Sequence, residues 1–248
     1  MMNWNELKEK LINIKYYYFH TENGILLCGD CLEILPLIPD ESIDLILTDP
    51  PYNASNSFLS FADKHYKTIN ESWDKNFDPV FYNHCVNLLK KGGQMLIFCS
   101  YHLLKNYLQK DKLKLQQILH WVKKNPVPGF TKVYAYSVEY ILWWIKTGKP
   151  YVFNKEHRFS YRDVFETIVN RPKFSNHPTE KPLNLITALI NTHSNKDEIV
   201  LDPFIGSGTT AIACEKLGRK WIGIEINSEY CEVAKQRILK EIRQLKIF

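Results

Sequence analysis

Apolar residues fall along this chain in short continuous runs, separated by polar stretches with a helical period. The runs at 24–28, 43–48, 94–99, 117–122, 139–145, 198–201 and 220–224 are rich in Ile, Leu and Val and barely alternate. Strands buried on both faces read this way. Between them, 31–37, 79–89, 103–110, 182–191, 209–217 and 228–245 read as helices. In the last, Cys231, Ala234, Ile238 and Ile242 recur near helical spacing with charges between them. Lys90-Lys91-Gly92-Gly93 reads as a helix stop before the next strand. Strand and helix in alternation predict an α/β fold, a mostly parallel twisted sheet with helices on both faces.

Two stretches resist the alternation. Residues 53–73 are polar and aromatic with no steady period, and a loop of that length in a compact domain is expected to be a mobile functional lid. Residues 123–176 are broken by Pro126, Pro128, Gly129, Pro150 and Pro172. With 248 residues and 45% hydrophobic content, the whole of 1–248 fits a single domain carrying insertions. No run of about 18 apolar residues occurs, so no membrane helix is expected. Residues 1–20 mix Glu6, Lys8, Glu9, Lys10 and Lys15 among apolar residues, with no uninterrupted apolar stretch and no small-residue cleavage site, so no signal peptide is expected. Six scattered cysteines, several inside apolar runs, suit buried free thiols in a reducing cytoplasm. Cys28-Gly29-Asp30-Cys31 has redox or zinc spacing, but no second pair completes a site, and no metal is expected.

Chemistry concentrates in two motifs. The run ending at Leu201 leads into Asp202-Pro203-Phe204-Ile205-Gly206-Ser207-Gly208-Thr209-Thr210, with a helix from Thr209. Gly206 and Gly208 thus lie at a strand-to-helix turn, where glycine lets backbone N–H groups approach a ligand closely. The next strand ends on Glu225, placed to accept both hydroxyls of a ribose. The same glycines satisfy a degenerate dinucleotide fingerprint. The unit lies too near the C-terminus for the second half of a dinucleotide fold to follow.

The other motif, Asp49-Pro50-Pro51-Tyr52, follows the strand run at 43–48. In open α/β sheets ligands bind beyond the carboxyl ends of strands. Two prolines fix φ and stiffen the arm, so the Asp49 carboxylate and the Pro50 carbonyl can aim at one point. Two acceptors holding both N–H groups of an aryl amine turn its lone pair toward a methyl donor, and Tyr52 offers a face for stacking the ring. A bare turn would also use Asp-Pro and Pro-Pro; the pairing with the second motif favours the chemical reading.

On these residues the chain resembles the amino-methyltransferases of bacterial restriction–modification systems, and in particular the β-group DNA adenine-N6 enzymes, whose amine motif precedes the cofactor motif. The likeness runs from Gly29-Asp30 to the last helix and includes His177-Pro178-Thr179-Glu180-Lys181-Pro182. It implies a Rossmann-like methyltransferase fold in permuted motif order, with S-adenosylmethionine as cofactor. Phe204, Gly206 and Gly208 match the family's Phe-x-Gly-x-Gly signature, flanked by Asp202, Ser207 and Thr209. Glu225 matches its ribose acid, and Asp30 with Cys31 the segment near the cofactor's adenine. His177, Thr179 and Lys181 match the segment leading to a cofactor-holding helix, with Thr179 and Lys181 toward the cofactor carboxylate. Asp49, Pro50, Pro51 and Tyr52 would be catalytic. Asp before Pro-Pro-Tyr is typical of adenine-N6 enzymes and Ser of cytosine-N4 enzymes, which makes cytosine-N4 the alternative. A non-catalytic DNA-binding module is a remoter one, opposed by the intact Asp49.

Within 123–176 ten Lys and Arg face four Asp and Glu, a net +6 in a chain whose total is +5. The resemblance places an inserted target-recognition region there, and Lys123, Lys124, Lys132, His157 and Arg158 are the expected DNA contacts. Tyr140, Trp143 and Trp144 sit in a strand-like run and are expected in the core. Double-stranded DNA is the implied partner, bound with the target base flipped out. A restriction endonuclease would act separately, a homodimer is common in such families, and no membrane is involved.

Overall fold

The computed structural model describes residues 2–51, 80–126, 134–155, 162–168 and 180–245. Its strands are β1 (Tyr17–His20), β2 (Gly24–Cys28), β3 (Ile43–Thr48), β4 (Leu89–Cys99) and β5 (Lys114–Lys123), then β6 (Val138–Ile145), β7 (Val164–Thr167), β8 (Ile199–Asp202) and β9 (Lys220–Glu225). They form one sheet in the order β1-β2-β9-β8-β3-β4-β6-β5-β7. From β2 to β4 neighbouring strands are parallel; β6 opposes both β4 and β5, and β1 opposes β2. The helices are α1 (Trp4–Ile12), α2 (Cys31–Ile34), α3 (Phe81–Leu88), α4 (Tyr101–Leu108), α5 (Leu183–His193), α6 (Thr209–Leu217) and α7 (Ser228–Leu245).

The continuous apolar runs follow from burial on both sheet faces. Ile25, Leu27, Ile46, Met95 and Ile97 point to the face covered by α1, α2, α3 and α4. Leu26, Leu45, Leu47, Leu96 and Phe98 point to the other, under α5, α6 and α7. Trp143 and Trp144, adjacent on β6, each fill one of these layers, while Tyr140 is half-buried.

Four features depart from the sequence reading. Helix α1 is formed, closed by an Asn3–Glu6 capping box in which each residue accepts from the other's amide, at 3.0 and 2.9 Å. Two short edge strands, β1 and β7, extend the sheet. The helix does stop before Lys90-Lys91-Gly92-Gly93, at Leu88, but these residues already belong to β4, which starts at Leu89 rather than at 94. They bulge, because Ile43 pairs with Leu89 but Leu45 with Gln94. Gly92, at φ 82°, makes the bulge, and its amide reaches the Lys146 carbonyl at 2.8 Å. Finally, β6 runs through the middle of 123–176 and occupies an inner place in the sheet, so this stretch is divided rather than one continuous insertion.

From β8 the chain crosses through α6 to β9 on one side, and from β3 through α3 to β4 on the other. The direction of winding therefore switches between β8 and β3. A crevice at the carboxyl ends of two such strands is the ligand site of an open α/β sheet.

Candidate active site at the carboxyl rim of the sheet

Strand register brings the two motifs together. Leu45 pairs with Val200 and Ile46 with Leu201, so β3 and β8 finish side by side. Thr48 then donates its hydroxyl to Asp202 Oδ1 at 2.8 Å, joining residues 154 positions apart. Asp202 also accepts from the Phe204 amide at 3.1 Å and from the Thr210 hydroxyl at 2.6 Å. Burial pushes its carboxyl up to about 6, against the pull of those donors. Asp202 is thus a bridge between the strand ends, its oxygens engaged by protein donors.

The turn after β8 has Gly206 and Gly208 in the left-handed region, at φ 51° and 86°. A Cβ on Gly208 would stand 3.0 Å from the Ala234 Cβ on α7, so only glycine lets the turn lie this close to that helix. Glu225, ending the adjacent β9, is buried and takes the Gly206 amide on Oε2 at 3.0 Å and the Asn227 amide on Oε1 at 2.9 Å. Burial raises its carboxyl above the ordinary range despite those amides. One strand further, the Gly29 amide bonds the Glu225 carbonyl at 2.9 Å, and Asp30 caps α2 by accepting the Leu32 amide at 2.8 Å. Cys31 is buried at the start of that helix, and burial pushes its thiol up to about 12. Phe204 meets Phe81 edge-to-face at 5.0 Å.

Arg237 on α7, a residue the sequence reading passed over, fastens this turn. It donates to the Ser207 carbonyl and hydroxyl, both at 2.6 Å, and to Glu180 Oε1 at 2.6 Å. A long-range partner is invisible in a helix whose charges otherwise look solvated. Thr209 opens α6 under the same guanidinium.

On the amine side, Asp49 leaves β3 and pairs through Oδ2 with the Lys181 ammonium. Lys181 is buried and also faces Glu139 Oε2 at 3.4 Å, while Glu139 Oε1 takes Lys123. The Lys181 ammonium lies over Phe98 and Trp121, at 5.2 and 5.5 Å. Burial works against its charge, but Asp49 and Glu139 outweigh burial and hold its proton more firmly than usual. Burial likewise opposes the charge on Glu139, and Lys181 with Lys123 draws that carboxyl below the ordinary range. Lys181, expected at a cofactor carboxylate, thus sits on the Asp49 carboxylate. Lys123, expected on DNA phosphates, closes this buried cluster; Lys124 pairs with Glu166 at the surface, at 2.9 Å. Pro50 and Pro51 continue the arm. Tyr52, Lys132, His157, Arg158, His177 and Thr179 lie outside the described residues, as do 53–73.

The rim therefore presents a carboxylate and a tight glycine turn over β9 and β8, and a second carboxylate on a stiff arm over β3. The first set suits a nucleoside: a buried acid for a ribose diol, a turn without side chains at Gly206 and Gly208, and an aromatic edge at Phe204. Side by side at one switch point, the two sets suit an α/β transferase that joins a nucleoside cofactor to a second ligand.

Comparison with known proteins is specific. The profile of the N6/N4 DNA methylases matches residues 43–236, and the chain belongs to that DNA methylase family. It is 34% identical to the Type II methyltransferase M2.MboI of Moraxella bovis over 245 residues, covering 90% of each. It is 29% identical to M2.LlaDCHI of Lactococcus lactis subsp. cremoris, covering 95% of this chain and 97% of that one. The solved M1.HpyAVI–SAM complex aligns with a TM-score of 0.65 at 32% identity, covering 86% of this chain and 99% of that one. The fold, with a TM-score of 0.73 at 20% identity, is also that of the cytosine-N4-specific PvuII DNA methyltransferase. The protein is accordingly an S-adenosylmethionine-dependent, site-specific DNA methyltransferase. Among its described residues no helix is long and apolar enough to cross a membrane.

Proposed function

We propose that the methylated atom is the N6 amine of adenine in double-stranded DNA, taken from a base swung out of the duplex. What supports a shared site is the Thr48–Asp202 bond, which holds the end of β3, where the Asp49 arm begins, beside the glycine turn after β8. Asp rather than Ser ahead of Pro-Pro-Tyr favours adenine over cytosine-N4. Extrusion of the base costs a few kcal/mol, offset by stacking on Tyr52. Asp49 and the Pro50 carbonyl accept the two amine N–H bonds and turn the nitrogen lone pair out of conjugation. S-adenosylmethionine supplies an electrophilic methyl on a sulfonium. Glu225 would hold its ribose, the turn through Phe204, Gly206, Ser207, Gly208 and Thr209 would receive its nucleoside side, and Asp30 with Cys31 would border its adenine. As the nitrogen gains the methyl it sheds one proton, and Asp49 accepts it. Holding the two reactants in line accounts for most of the acceleration.

Residues 53–73 are proposed to close over the bound base. The parts of 123–176 outside β6, with Lys132, His157 and Arg158, are proposed to read the target, and Lys124 to meet phosphate. A separately encoded endonuclease is proposed as the cognate partner, in keeping with the Type II naming of the relatives. The test is to incubate the protein with labelled cofactor and mixed-sequence DNA and analyse the product nucleosides. Label in N6-methyladenine is the expected result; label in N4-methylcytosine overturns the base assignment.

A further inference from the structure

We infer that Glu139 is a positioning residue for methyl transfer: by sharing the Lys181 ammonium with Asp49, it keeps the Asp49 carboxylate able to accept the substrate amine. The inference rests on Asp49 being the amine acceptor.

Glu139 is the second residue of β6, which runs against its neighbours, so this end of the strand reaches the same rim as the end of β3. There it lies between two lysines, with Oε1 on Lys123 and Oε2 at 3.4 Å from Lys181. Lys181 in turn holds Asp49 Oδ2. Two carboxylates and two ammoniums thus alternate along one line, largely withdrawn from water: the Lys181 side chain is 8% exposed, Glu139 14%, Lys123 22% and Asp49 23%. A buried row of this kind is costly unless every charge is matched. Such a row is a poor device for stability alone.

Its placement suggests what it does. Asp49 has to offer lone pairs to an incoming N–H and later take a proton. An ammonium held wholly by Asp49 would compete with the incoming N–H and weaken the carboxylate as a base. Glu139 competes for that ammonium, and Lys123 keeps Glu139 ionised while it does so. Among the described residues, Cys99 at the end of β4, Tyr107 on α4 and the Asp202 carboxyl on β8 also face Asp49, and all three remain in every variant. Lys123 ends β5, and its amide bonds the Ser137 carbonyl at 2.7 Å.

The experiment compares wild type, Glu139→Gln, Lys123→Met and Asp49→Ala. Single-turnover methyl transfer is measured at saturating cofactor and DNA across the acid limb of the pH profile. Removing the Glu139 charge takes away a carboxylate that competes with Asp49 for Lys181. The rate is expected to fall about tenfold or more, with the acid limb moving to lower pH. Removing the Lys123 charge strengthens Glu139's hold on Lys181, and the limb is expected to move to higher pH. Opposite movements are the signature of shared charge, since damage to packing would lower both rates without moving either limb. An unmoved limb in both variants, or the same direction in both, overturns the inference. Should Glu139→Gln fail to fold, the direction in Lys123→Met decides alone. Asp49→Ala separates the two readings: if it still transfers methyl within a few-fold of wild type, the role of Asp49 itself is wrong.

Discussion

Thr48→Val probes the joint between the two motifs. Valine keeps the shape of threonine and removes one hydroxyl, in a position 1% exposed. The loss falls on the buried Asp202 carboxylate, which keeps the Thr210 hydroxyl and the Phe204 amide but loses its tie to β3. A hydrogen bond to a charged buried group contributes about 1.5–3 kcal/mol, and one to a neutral group about 1 kcal/mol. The cost should therefore depend on whether Asp202 is ionised. Burial holds its carboxyl at about 6 in the folded protein, above its ordinary 3.8, so on acidification the native state takes up this proton before the unfolded chain does. Removing the donor raises that carboxyl further, so the deficit is largest when Asp202 is charged. Urea denaturation at about pH 8 should show Thr48→Val less stable by about 1.5–3 kcal/mol, narrowing to about 1 kcal/mol at about pH 5. A gap under about 0.5 kcal/mol at the higher pH, or an equal gap at both, would refute the reasoning.

Three further outcomes follow from the same geometry. Gly208→Val places a branched side chain at φ 86° and against Ala234, so the turn must shift; calorimetry should find cofactor affinity lower by about tenfold or more, and an unchanged affinity removes the turn from the cofactor site. Arg237→Met releases Ser207 from Glu180 and should weaken cofactor binding by about five- to thirtyfold, the equivalent of about 1–2 kcal/mol. Equal binding in that variant would mean that the clamp serves the fold alone. His193 is buried, which depresses its imidazole to about 3 against an ordinary 6.5. Its share of stability is thus complete above 6.5 and drains away as pH falls toward 3, by up to about 1.4 kcal/mol per pH unit. His193→Gln should flatten that slope in acid denaturation, and an identical slope in the variant counts against a neutral buried imidazole.

The sheet was legible in the sequence wherever a strand is buried on both sides. Runs such as 43–48 and 220–224 need no alternation, and the structure forms strands there with the same bounds or one residue more. Edge strands were not, because β1, Tyr17–His20, holds aromatic residues half in water and has no apolar run to detect. Helix α1 was announced by Asn3-x-x-Glu6, a local signal that the charged surroundings obscured. Both motifs stood out because proline restricts the backbone and glycine frees it within a few residues. The partners that organise them come from far away in the chain. Thr48 reaches Asp202 and Lys181 reaches Asp49, across 154 and 132 positions. Glu139 appears in the sequence as one acid at the head of an apolar strand, and only the antiparallel turn of β6 brings it to the rim. Lys123 was misplaced for the same reason: net charge over a stretch records how many lysines there are, while their partners are set by sheet order.

The central claim is that one cleft between β3 and β8 holds both the methyl donor and the amine, with Asp49 acting on the amine alone. Calorimetry and methyl transfer on Asp49→Ala test it together. Cofactor affinity should stay close to that of the unaltered protein while transfer to DNA is nearly abolished. Transfer that survives within a few-fold, or cofactor binding that disappears with it, would contradict the division of labour between the two motifs.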